Sequence, residues 1–246
     1  MNIRFDGKVV VVTGGGHGFG RAMARQFAAL GAIVHTCDRS AENLAETAKG
    51  TGIATQLLDV TDRARVFAWI EAIGDIDVLV NNAGGVVGQV GRAPETVPEA
   101  DWHAIFAVNL DAAFWFAQAV IPRMKARGAG RIINISSGAG LTISKTGIQA
   151  YASAKAGQLG LTRQLCHDLG PFGITVNAIA PGFVRSNPST EKQWDSYGAE
   201  GQKALVEGIA LKRLGAPSDI ANAALFLASE YAGWISGQVL SVDGGK

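Results

Sequence analysis

The chain has 246 residues, of which 48% are hydrophobic and 17% are charged, a composition that excludes a disordered protein and fits one α/β domain. Lysine and arginine number 22 against 21 aspartate and glutamate residues, and this balance provides no charged surface for nucleic acid or an anionic membrane. Glycine is the outlier, at 32 of the 246 residues. That is 13%, against a usual share of roughly 7%, and it indicates many sharp turns or close backbone approaches to a ligand.

The sequence also favours a cytoplasmic protein. Residues 9–12 form an apolar run too short for a signal-peptide core. No window approaches 18 uninterrupted apolar residues, so a membrane span is excluded on this criterion. Cys37 and Cys166 lie in separate apolar segments without metal-ligand spacing. We expect both thiols to be reduced and buried, and we expect no bound metal.

Short β-branched segments alternate along the chain with longer segments of helical period. The predicted strands are residues 8–13, 33–37, 54–58, 78–80, 131–135, 175–179 and 239–242. The predicted helices are residues 18–30, 41–49, 63–73, 99–127, 150–169 and 218–229. Strands that are apolar on both faces and alternate with helices indicate a parallel sheet covered on both sides. We therefore predict a Rossmann-like α/β fold, a doubly wound sheet of about seven strands in a single domain, 1–246.

A polar segment interrupts this alternation between the last two predicted strands. It covers residues 186–208, SNPSTEKQWDSYGAEGQKALVEG, and is too long for a simple connection. We expect short helices that cover a site as a lid. The alternative is a surface excursion without a role.

A glycine-rich loop, TGGGHGFG at residues 13–20, joins the first predicted strand to the first predicted helix. Five glycines let the backbone turn tightly, and the N–H groups at the helix N-terminus suit an anionic pyrophosphate. The flanking strand and helix are the context that a dinucleotide site requires. The predicted cofactor-binding residues of the loop are Gly14, Gly16, His17, Gly18, Phe19 and Gly20.

An acidic residue ends the second predicted strand. Asp38 lies 20 residues after Gly18, where a dinucleotide site places a carboxylate on the adenosine ribose. That carboxylate would repel a 2′-phosphate, so NAD is favoured over NADP. The neighbouring Arg39 could instead pair with the phosphate and permit NADP. The alternative for Asp38 is a cap for the helix that begins near Ser40.

Tyr151 and Lys155 lie four residues apart in a predicted helix and therefore share a face. A nearby ammonium stabilises a phenolate, so Tyr151 would have a lowered pKa and could act as general acid or base for an alcohol/ketone pair. Ser137 ends the preceding strand and could hydrogen-bond the substrate oxygen. Alone, such a tyrosine–lysine pair is usually only a helix surface pair. The glycine loop and the strand-end serine favour the catalytic interpretation.

Several motifs occur in a fixed order along the chain. They are TGGGHGFG at 13–20, Asp59-Val60, Asn81-Asn82-Ala83-Gly84, Asn109, Ser137, YASAK at 151–155, Pro181-Gly182 and Val242-Asp243-Gly244-Gly245. With this order and spacing, the sequence resembles the short-chain dehydrogenase/reductase family over essentially its whole length. The resemblance implies an NAD(P)-dependent alcohol dehydrogenase or ketone reductase. It also implies a homotetramer formed through the helices 99–127 and 150–169.

The resemblance implies roles for particular residues. Tyr151 would be the acid/base, and Lys155 would lower its pKa and hold the nicotinamide ribose. Ser137 would polarise the substrate oxygen, and Asn109 would hold a water of the proton relay. The further cofactor contacts that the resemblance implies are Asp59 and Val60 beside the adenine, Asn82, Ala83 and Gly84 along the cofactor, Pro181 and Gly182, and Val184 and Ser186 beside the carboxamide.

Two positions depart from the family pattern. Ser137 and Tyr151 are 14 residues apart, one more than in many relatives, so Ser136 and Ser144 compete with Ser137 for the serine role. Ser137 fits the Ser-Ser-x-x-Gly pattern best. Ser186 stands where many members have threonine, and its hydroxyl is expected to keep the carboxamide contact with weaker packing.

The sequence says less about the substrate. Polyols, sugars and sugar acids rank first. Arg185 beside the expected nicotinamide pocket could bind a carboxylate in bidentate fashion, which gives slight support for an acid. Lys145 could do the same, and the alternative for both is a solvated charge. In the expected lid, Trp194 could cover the substrate, or Trp194 and Tyr197 could simply anchor the segment.

Other functions remain open from the sequence. A 3-oxoacyl-thioester reductase ranks second, because such an enzyme ordinarily prefers NADP, against which Asp38 argues. A sugar-nucleotide epimerase shares the Tyr-x-x-x-Lys pair but usually has a longer chain with a second domain. A non-catalytic nucleotide-sensing binding protein would be expected to lack Tyr151 or Lys155, and both are present.

Overall fold

The computed structural model describes residues 2–246. At its centre is one sheet of seven parallel strands. The strands are β1 (Val9–Thr13), β2 (Ile33–Asp38), β3 (Ala54–Leu57), β4 (Val78–Asn81), β5 (Gly130–Ile135), β6 (Ile174–Pro181) and β7 (Val239–Val242). All seven were predicted, and their ends differ from the predicted ones by at most two residues.

The strand order in the sheet is β3-β2-β1-β4-β5-β6-β7. The chain starts in the middle, builds outward to β3, returns to pair β4 with β1, and then builds outward in the other direction. This order defines a doubly wound sheet with a crevice at the carboxyl ends of β1 and β4, where the winding reverses. The predicted Rossmann-like fold is confirmed, and the glycine loop that follows β1 lies at this crevice.

Helices make the connections between the strands and cover the sheet. They are α1 (Gly18–Ala29), α2 (Ala41–Ala48), α3 (Arg63–Ile73), α4 (Glu99–Phe106), α5 (Ala112–Arg127), α6 (Gln149–Leu169), α7 (Pro188–Ser196), α8 (Gly198–Glu207) and α9 (Pro217–Ala228). The polar segment 186–208 contains α7 and α8, so its predicted short helices are present.

The long helix predicted over residues 99–127 is interrupted by a π-helical turn, Ala107–Asp111. Within it, Asn109 Nδ2 donates to the Ile105 carbonyl at 2.8 Å. In an α-helix that carbonyl accepts from the backbone N–H of residue 109, so the side chain takes the acceptor of a main-chain bond. The apolar period of the sequence carries no sign of this competition, and it therefore predicts an unbroken helix.

Alternate residues of the central strands point into two cores, one on each face of the sheet. Val10 and Val12 of β1 pack with Met23 and Phe27 of α1 and with α9 in the first core. Val11, between them, packs with α3 and α5 in the second core. Both faces of β1 are fully buried, as expected of a parallel sheet covered by helices on both sides.

Among residues 2–246, one helical segment, Glu99–Arg127, is long and apolar enough to cross a membrane if only length and composition are considered. Core helices of soluble proteins pass the same test. Phe116, Val120 and Met124 in its second half are buried in the second core. The criterion of 18 uninterrupted apolar residues does not find this segment, because scattered polar residues interrupt it although its mean hydropathy is high.

Both cysteines are free. Cys37 in β2 is fully buried, and burial raises the pKa of its thiol to about 12. Cys166 in α6 is only partly buried. The prediction of two buried thiols is therefore right for Cys37 and wrong for Cys166.

Candidate active site

The loop between β1 and α1 has a conformation that requires glycine. Gly14 and Gly18 have φ of +67° and +55°, in the left-handed region. A Cβ on Gly15 would collide with the Thr36 hydroxyl, and a Cβ on Gly20 would collide with the Gly14 carbonyl. The loop is therefore a cradle of bare backbone at the N-terminus of α1, a shape and charge that fit a nucleotide pyrophosphate.

Hydrogen bonds that were not predicted from the sequence hold this loop in place. The Thr47 hydroxyl of α2 donates to the Gly15 carbonyl at 2.8 Å, and the Arg21 guanidinium donates to the Gly16 carbonyl. The Gly15 N–H donates to the Cys37 carbonyl at 3.0 Å. Thr47 lies 32 residues from its partner, so no local pattern could have identified it.

The Asp38 carboxylate lies at the carboxyl end of β2, beside the cradle. It accepts from the Gly16 N–H at 3.0 Å and from the Ser40 N–H at 3.1 Å. The cap of α2 is the Ser40 hydroxyl, which accepts from the Asn43 N–H, so Asp38 does not cap that helix directly. Arg39 is exposed. Asp38 thus has the location that a ribose contact requires.

The segment after β4 is fixed to the start of the cradle. Thr13 Oγ1 accepts from the N–H groups of Asn82 and Ala83, both at 2.9 Å. Asn82 Nδ2 donates back to the Thr13 carbonyl at 2.9 Å and to the Gly14 carbonyl at 3.1 Å. The predicted cofactor-lining residues of this segment therefore lie against the glycine loop.

Asp59 and Val60 lie after β3 and differ in exposure. Asp59 is exposed, and hydrogen bonds from the Thr61 N–H and hydroxyl lower the pKa of its carboxyl. Val60 is buried. Among residues 2–246, no group of three His, Cys, Asp or Glu side chains could hold a metal ion.

The segment after β6 returns to the glycine loop. The Gly182 N–H donates to β7, and Val184 is buried. A Cβ on Gly18 would lie 2.9 Å from the Ser186 carbonyl oxygen, so this segment packs directly on the cradle. The segment after β6 thus runs along the carboxyl edge of the sheet and includes Pro181, Gly182, Val184 and Ser186.

The structure separates the three competing serines. The Ser136 hydroxyl is buried and donates to the Lys155 carbonyl at 2.9 Å. The Ser144 hydroxyl pairs with Thr146 Oγ1 at 2.8 Å. The Ser137 hydroxyl accepts from the Ala139 N–H at 3.1 Å, and its influence on the Tyr151 phenol lowers the pKa of that phenol. Of the three serines, Ser137 is the one whose side chain affects the Tyr151 phenol, and this favours it for the serine role.

Tyr151 and Lys155 do lie on one face of α6, with Lys155 Nζ 5.7 Å from the centre of the Tyr151 ring. Tyr151 is half-buried, and burial raises the pKa of its phenol more than the Ser137 hydrogen bond lowers it. Burial also lowers the pKa of the Lys155 ammonium to about 7. The expected lowering of the Tyr151 pKa by Lys155 is therefore not present: burial raises this pKa, and the opposing influence comes from Ser137 and not from Lys155.

Asn109 is fully buried and fixes the turn after Gly84. Its Oδ1 accepts from the Gly85 N–H at 3.0 Å, and its Nδ2 donates to the Gly85 carbonyl at 2.9 Å. Gly84 lies so close that a Cβ there would collide with Asn109 Oδ1 and lie 3.2 Å from Lys155 Nζ. The π-helical turn thus brings Asn109 close to Lys155.

A row of buried polar side chains runs from the sheet to α6, and the sequence analysis did not identify it. Asn81 Nδ2 donates to Asn134 Oδ1 at 2.9 Å, and Asn134 Nδ2 donates to Thr162 Oγ1 at 2.8 Å. Thr162 Oγ1 donates in turn to the Gln158 carbonyl at 2.8 Å. Gln158 and Thr162 follow Lys155 on the same buried helix face, so a helical projection from Lys155 could have found them.

The predicted substrate residues in and before the lid have partners of their own. Both Arg185 Nε and Nη2 donate to Glu191 Oε2, at 2.9 and 2.6 Å. Trp194 and Tyr197 pack on Phe183, with ring centres 6.1 and 5.9 Å away. The anchoring role considered for these two aromatic residues is therefore present, and a substrate carboxylate would have to compete with Glu191.

Fold and site together define a class of protein. A bare-backbone nucleotide cradle follows β1, and a tyrosine, a lysine and a serine meet at the same edge of a doubly wound sheet. This combination is that of an oxidoreductase with a nicotinamide cofactor.

Comparisons with known proteins identify the family. The family model described as enoyl-(acyl carrier protein) reductase matches residues 14–246. The (2S)-[(R)-hydroxy(phenyl)methyl]succinyl-CoA dehydrogenase subunit BbsD of Thauera aromatica is 39% identical and is matched over 97% of this chain and 96% of its own. The 3-oxoacyl-[acyl-carrier-protein] reductase FabG of Thermotoga maritima is 37% identical over 99% of both chains. The chain belongs to the short-chain dehydrogenase/reductase family.

Solved structures agree. A 7α-hydroxysteroid dehydrogenase complexed with NADH and 7-oxo glycochenodeoxycholic acid superimposes with a TM-score of 0.89 at 35% identity, over 99% of this chain and 96% of that one. A putative 2-deoxy-D-gluconate 3-dehydrogenase from Agrobacterium tumefaciens with bound NADP gives 0.88 at 35% identity, over 99% and 97%. The present chain is an oxidoreductase of the alcohol/ketone type that uses a nicotinamide cofactor.

The cradle allows a direct test of cofactor binding. Gly20→Ala is expected to raise the Kd for NADH about tenfold or more, because the new Cβ meets the Gly14 carbonyl and can be accommodated only by shifting backbone. Fluorescence titration with NADH measures the change. Gly52→Ala is the matched control, since nothing lies within 4 Å of its added Cβ. Equal affinities of the two variants would contradict the placement of the cofactor at this loop.

Proposed function

We propose that Tyr151 transfers the hydroxyl proton in this oxidoreductase and that Ser137, Lys155 and Asn109 complete the catalytic group. One observation carries the proposal: at the edge of the sheet that bears the cradle, the Ser137 side chain lowers the pKa of the half-buried Tyr151 phenol, and Lys155 Nζ lies 5.7 Å from the centre of the Tyr151 ring. A hydrogen-bond donor and a cation beside a phenol both stabilise its phenolate. Such a group can alternate between acid and base.

Each residue of the catalytic group has a separate role in the proposed reaction. The glycine cradle would hold the nicotinamide cofactor, and the chemistry supplied there would be hydride exchange with the substrate carbon. Tyr151 takes the proton of the substrate hydroxyl during oxidation and returns it to the carbonyl oxygen during reduction. Ser137 donates a hydrogen bond to that oxygen and orients it. Lys155 supplies positive charge beside the phenol, and Asn109 holds the Gly84–Gly85 turn against it.

We propose NAD as the preferred cofactor. The Asp38 carboxylate is held beside the cradle by the Gly16 N–H, where it would meet the ribose hydroxyls and repel a 2′-phosphate. Related structures contain either cofactor, NADH in the 7α-hydroxysteroid dehydrogenase and NADP in the putative 2-deoxy-D-gluconate 3-dehydrogenase. The charge of Asp38 is therefore the feature that supports NAD, and the exposed Arg39 is the feature that favours NADP.

Asp38→Asn tests this preference, because it removes the charge and keeps an oxygen for the Gly16 N–H. Placing like charges together at an interface costs several kcal/mol, so the ratio of kcat/KM for NADP to that for NAD is expected to rise at least about tenfold. Steady-state kinetics with both cofactors gives the ratio. An unchanged ratio would remove Asp38 from cofactor selection, and Arg39→Ala then tests the remaining candidate.

For the substrate we propose a polyol, sugar or sugar-acid secondary alcohol. Support comes from the structural likeness to the putative 2-deoxy-D-gluconate 3-dehydrogenase and to a putative gluconate dehydrogenase of Agrobacterium tumefaciens, the latter with 30% identity and a TM-score of 0.90 over 99% of this chain and 97% of that one. The ion pair between Arg185 and Glu191 favours the neutral members of this class over the acids. The lid, residues 186–208, would cover such a substrate.

A substrate panel tests the proposal. Polyols, neutral sugars and sugar acids are offered with NAD, and a 3-oxoacyl thioester is offered with NADH and NADPH, each followed by nicotinamide absorbance. We expect the highest kcat/KM within the polyol and sugar group. Reduction of the thioester as the best reaction would replace this substrate class by the alternative that the likeness to FabG supports.

Three further features complete the proposal. The protein acts in the cytoplasm, and it forms a homotetramer through the helical faces 99–127 and 150–169. The chain functions as one catalytic domain, 1–246. A non-catalytic nucleotide sensor is the alternative from another class, and turnover of any substrate in the panel excludes it. Size-exclusion chromatography with light scattering tests the tetramer.

A further inference from the structure

One buried side chain joins two of the proposed catalytic residues. Gln158 lies on α6 three residues after Lys155 and is completely buried. Its Oε1 accepts a hydrogen bond from Lys155 Nζ at 3.2 Å. Its Nε2 donates to the Asn109 carbonyl at 2.7 Å. Both ends of the amide are therefore engaged by the catalytic group.

The partners fix the orientation of this amide. An ammonium only donates hydrogen bonds, so it requires the oxygen of Gln158, and the Asn109 carbonyl only accepts them, so it requires the nitrogen. Exchanging the two ends would place donor against donor and acceptor against acceptor. Thr162 holds the backbone behind the amide through the Gln158 carbonyl. The two hydrogen bonds that connect Lys155 and Asn109 can therefore form in only one orientation of the Gln158 amide.

We propose that Gln158 is a positioning residue of this active site, which holds the Lys155 ammonium in place and in its charged form beside Tyr151. The proposal rests on the catalytic group proposed above. The resemblance assigns Asn109 a relay water, whereas here a side chain makes the connection between the Asn109 carbonyl and Lys155. A carboxamide does not gain or lose a proton at neutral pH, so Gln158 contributes position and electrostatic stabilisation and carries no proton.

The surroundings of Lys155 show why this contribution matters. From β5, the Ile135 carbonyl accepts from Lys155 Nζ at 2.7 Å, and on α6 the nearest titratable group is Tyr151. The turn at Gly84 and the π-helical turn bring no charged group to it in the described part of the chain, and burial alone accounts for its lowered pKa, about 7. Gln158 and the Ile135 carbonyl are therefore the acceptors that favour the ammonium.

Two substitutions at Gln158 shift the charge of Lys155 in opposite directions. Gln158→Met keeps the length of the side chain but removes the acceptor, so the protonation midpoint of Lys155 is expected to fall by roughly one pH unit. Gln158→Glu places a carboxylate against Lys155, and the midpoint is expected to rise by roughly the same amount or more. The matched control is Thr162→Val, one turn further along the helix, which removes two buried hydrogen bonds, one to the Gln158 carbonyl and one from Asn134 Nδ2, without contacting Lys155.

The midpoint is measured on the cofactor-free protein by NMR titration of 13C-labelled lysine side chains, with the Lys155 signal assigned by its loss in Lys155→Met. We also expect Gln158→Met to lower kcat about tenfold at neutral pH while the Kd for NADH changes less, since the hydrogen bond it removes is made to a charged group. Thr162→Val is expected to lower thermal stability and to leave the midpoint unchanged.

A Lys155 midpoint that is the same in the native protein, Gln158→Met and Gln158→Glu overturns the proposal, whatever the activities. Opposite shifts in the two variants support it. This measurement involves no turnover, so it is independent of the assignment of Tyr151 as acid/base. Failure of that assignment appears separately, as activity retained by a Tyr151 variant.

Discussion

Tyr151→Phe is expected to lower kcat by about 10³-fold in both directions of the reaction, in line with the contribution of a positioned general acid or base. Phenylalanine keeps the ring on α6 beside Lys155 and removes only the hydroxyl that exchanges the proton. The Kd for NADH is expected to stay within about twofold, because no cradle residue changes. Steady-state kinetics and NADH fluorescence titration provide the two readouts.

Tyr231→Phe is the matched control for this substitution. Tyr231 is exposed, and its hydroxyl accepts only a long hydrogen bond, 3.4 Å, from the Asn2 N–H. Its loss is expected to change kcat by no more than about twofold. If Tyr151→Phe retained a tenth or more of the native kcat, the proton would have to move through another group, and the catalytic role of Tyr151 would be rejected.

Lys155→Met is expected to abolish most of the activity and, at pH 7, to stabilise the ligand-free protein. The native ammonium is buried, and burial lowers its pKa from 10.5 to about 7. Because the unfolded chain then binds the proton more tightly than the folded one, ionisation of Lys155 opposes folding. The penalty is full below pH 7, shrinks as the pH rises towards 10.5, and vanishes above that value.

Two opposing contributions decide the net effect. At pH 7 the ionisation penalty that methionine removes is roughly 4 kcal/mol. Methionine also leaves the Ile135 carbonyl and Gln158 Oε1 without their donor, at a combined cost of roughly 2–3 kcal/mol. The variant is therefore expected to gain about 1–2 kcal/mol at pH 7 and to lose about 2 kcal/mol near pH 10, where little of the penalty remains.

Urea unfolding of the ligand-free protein at the two pH values measures this reversal. Lys125→Met serves as control, because Lys125 lies on the surface over the Phe172 ring and makes no such buried contacts. Its effect on the free energy of unfolding is expected to be small and independent of pH over this range. A Lys155→Met variant that is less stable than the native protein at both pH values would show that burial of the Lys155 ammonium does not destabilise the folded protein.

The sequence predicts the fold closely because periodicity and glycine placement are local signals. Alternation of short β-branched segments with helices specifies the parallel sheet, and the bounds of β7 agree to the residue. The interruption of the 99–127 helix escapes prediction for a physical reason. It arises because the Asn109 side chain competes for a main-chain acceptor, and hydrophobic periodicity does not register hydrogen-bond competition.

The site could be predicted only where its residues form motifs. The glycine loop and the Tyr151–Lys155 pair are contiguous or one turn apart, so spacing reveals them. The choice between Ser136 and Ser137 depends on the direction of each side chain at the end of β5. The Ser136 hydroxyl donates to the Lys155 carbonyl, whereas Ser137 affects the Tyr151 phenol, and residue spacing does not report these directions. The Tyr151 pKa was predicted in the wrong direction for the ligand-free chain, because spacing reports proximity and does not report desolvation.

The buried row from Asn81 to Gln158 has a consequence for how this protein can change. Asn134 accepts from Asn81 and donates to Thr162, so replacing it by an apolar residue would remove a buried hydrogen bond on each side. A single substitution in this row is therefore expected to cost more stability than a volume-conserving apolar substitution in either core. We therefore expect changes of substrate range to arise from substitutions in the lid and the surface loops, which leave the hydrogen-bonded support of Lys155 unchanged.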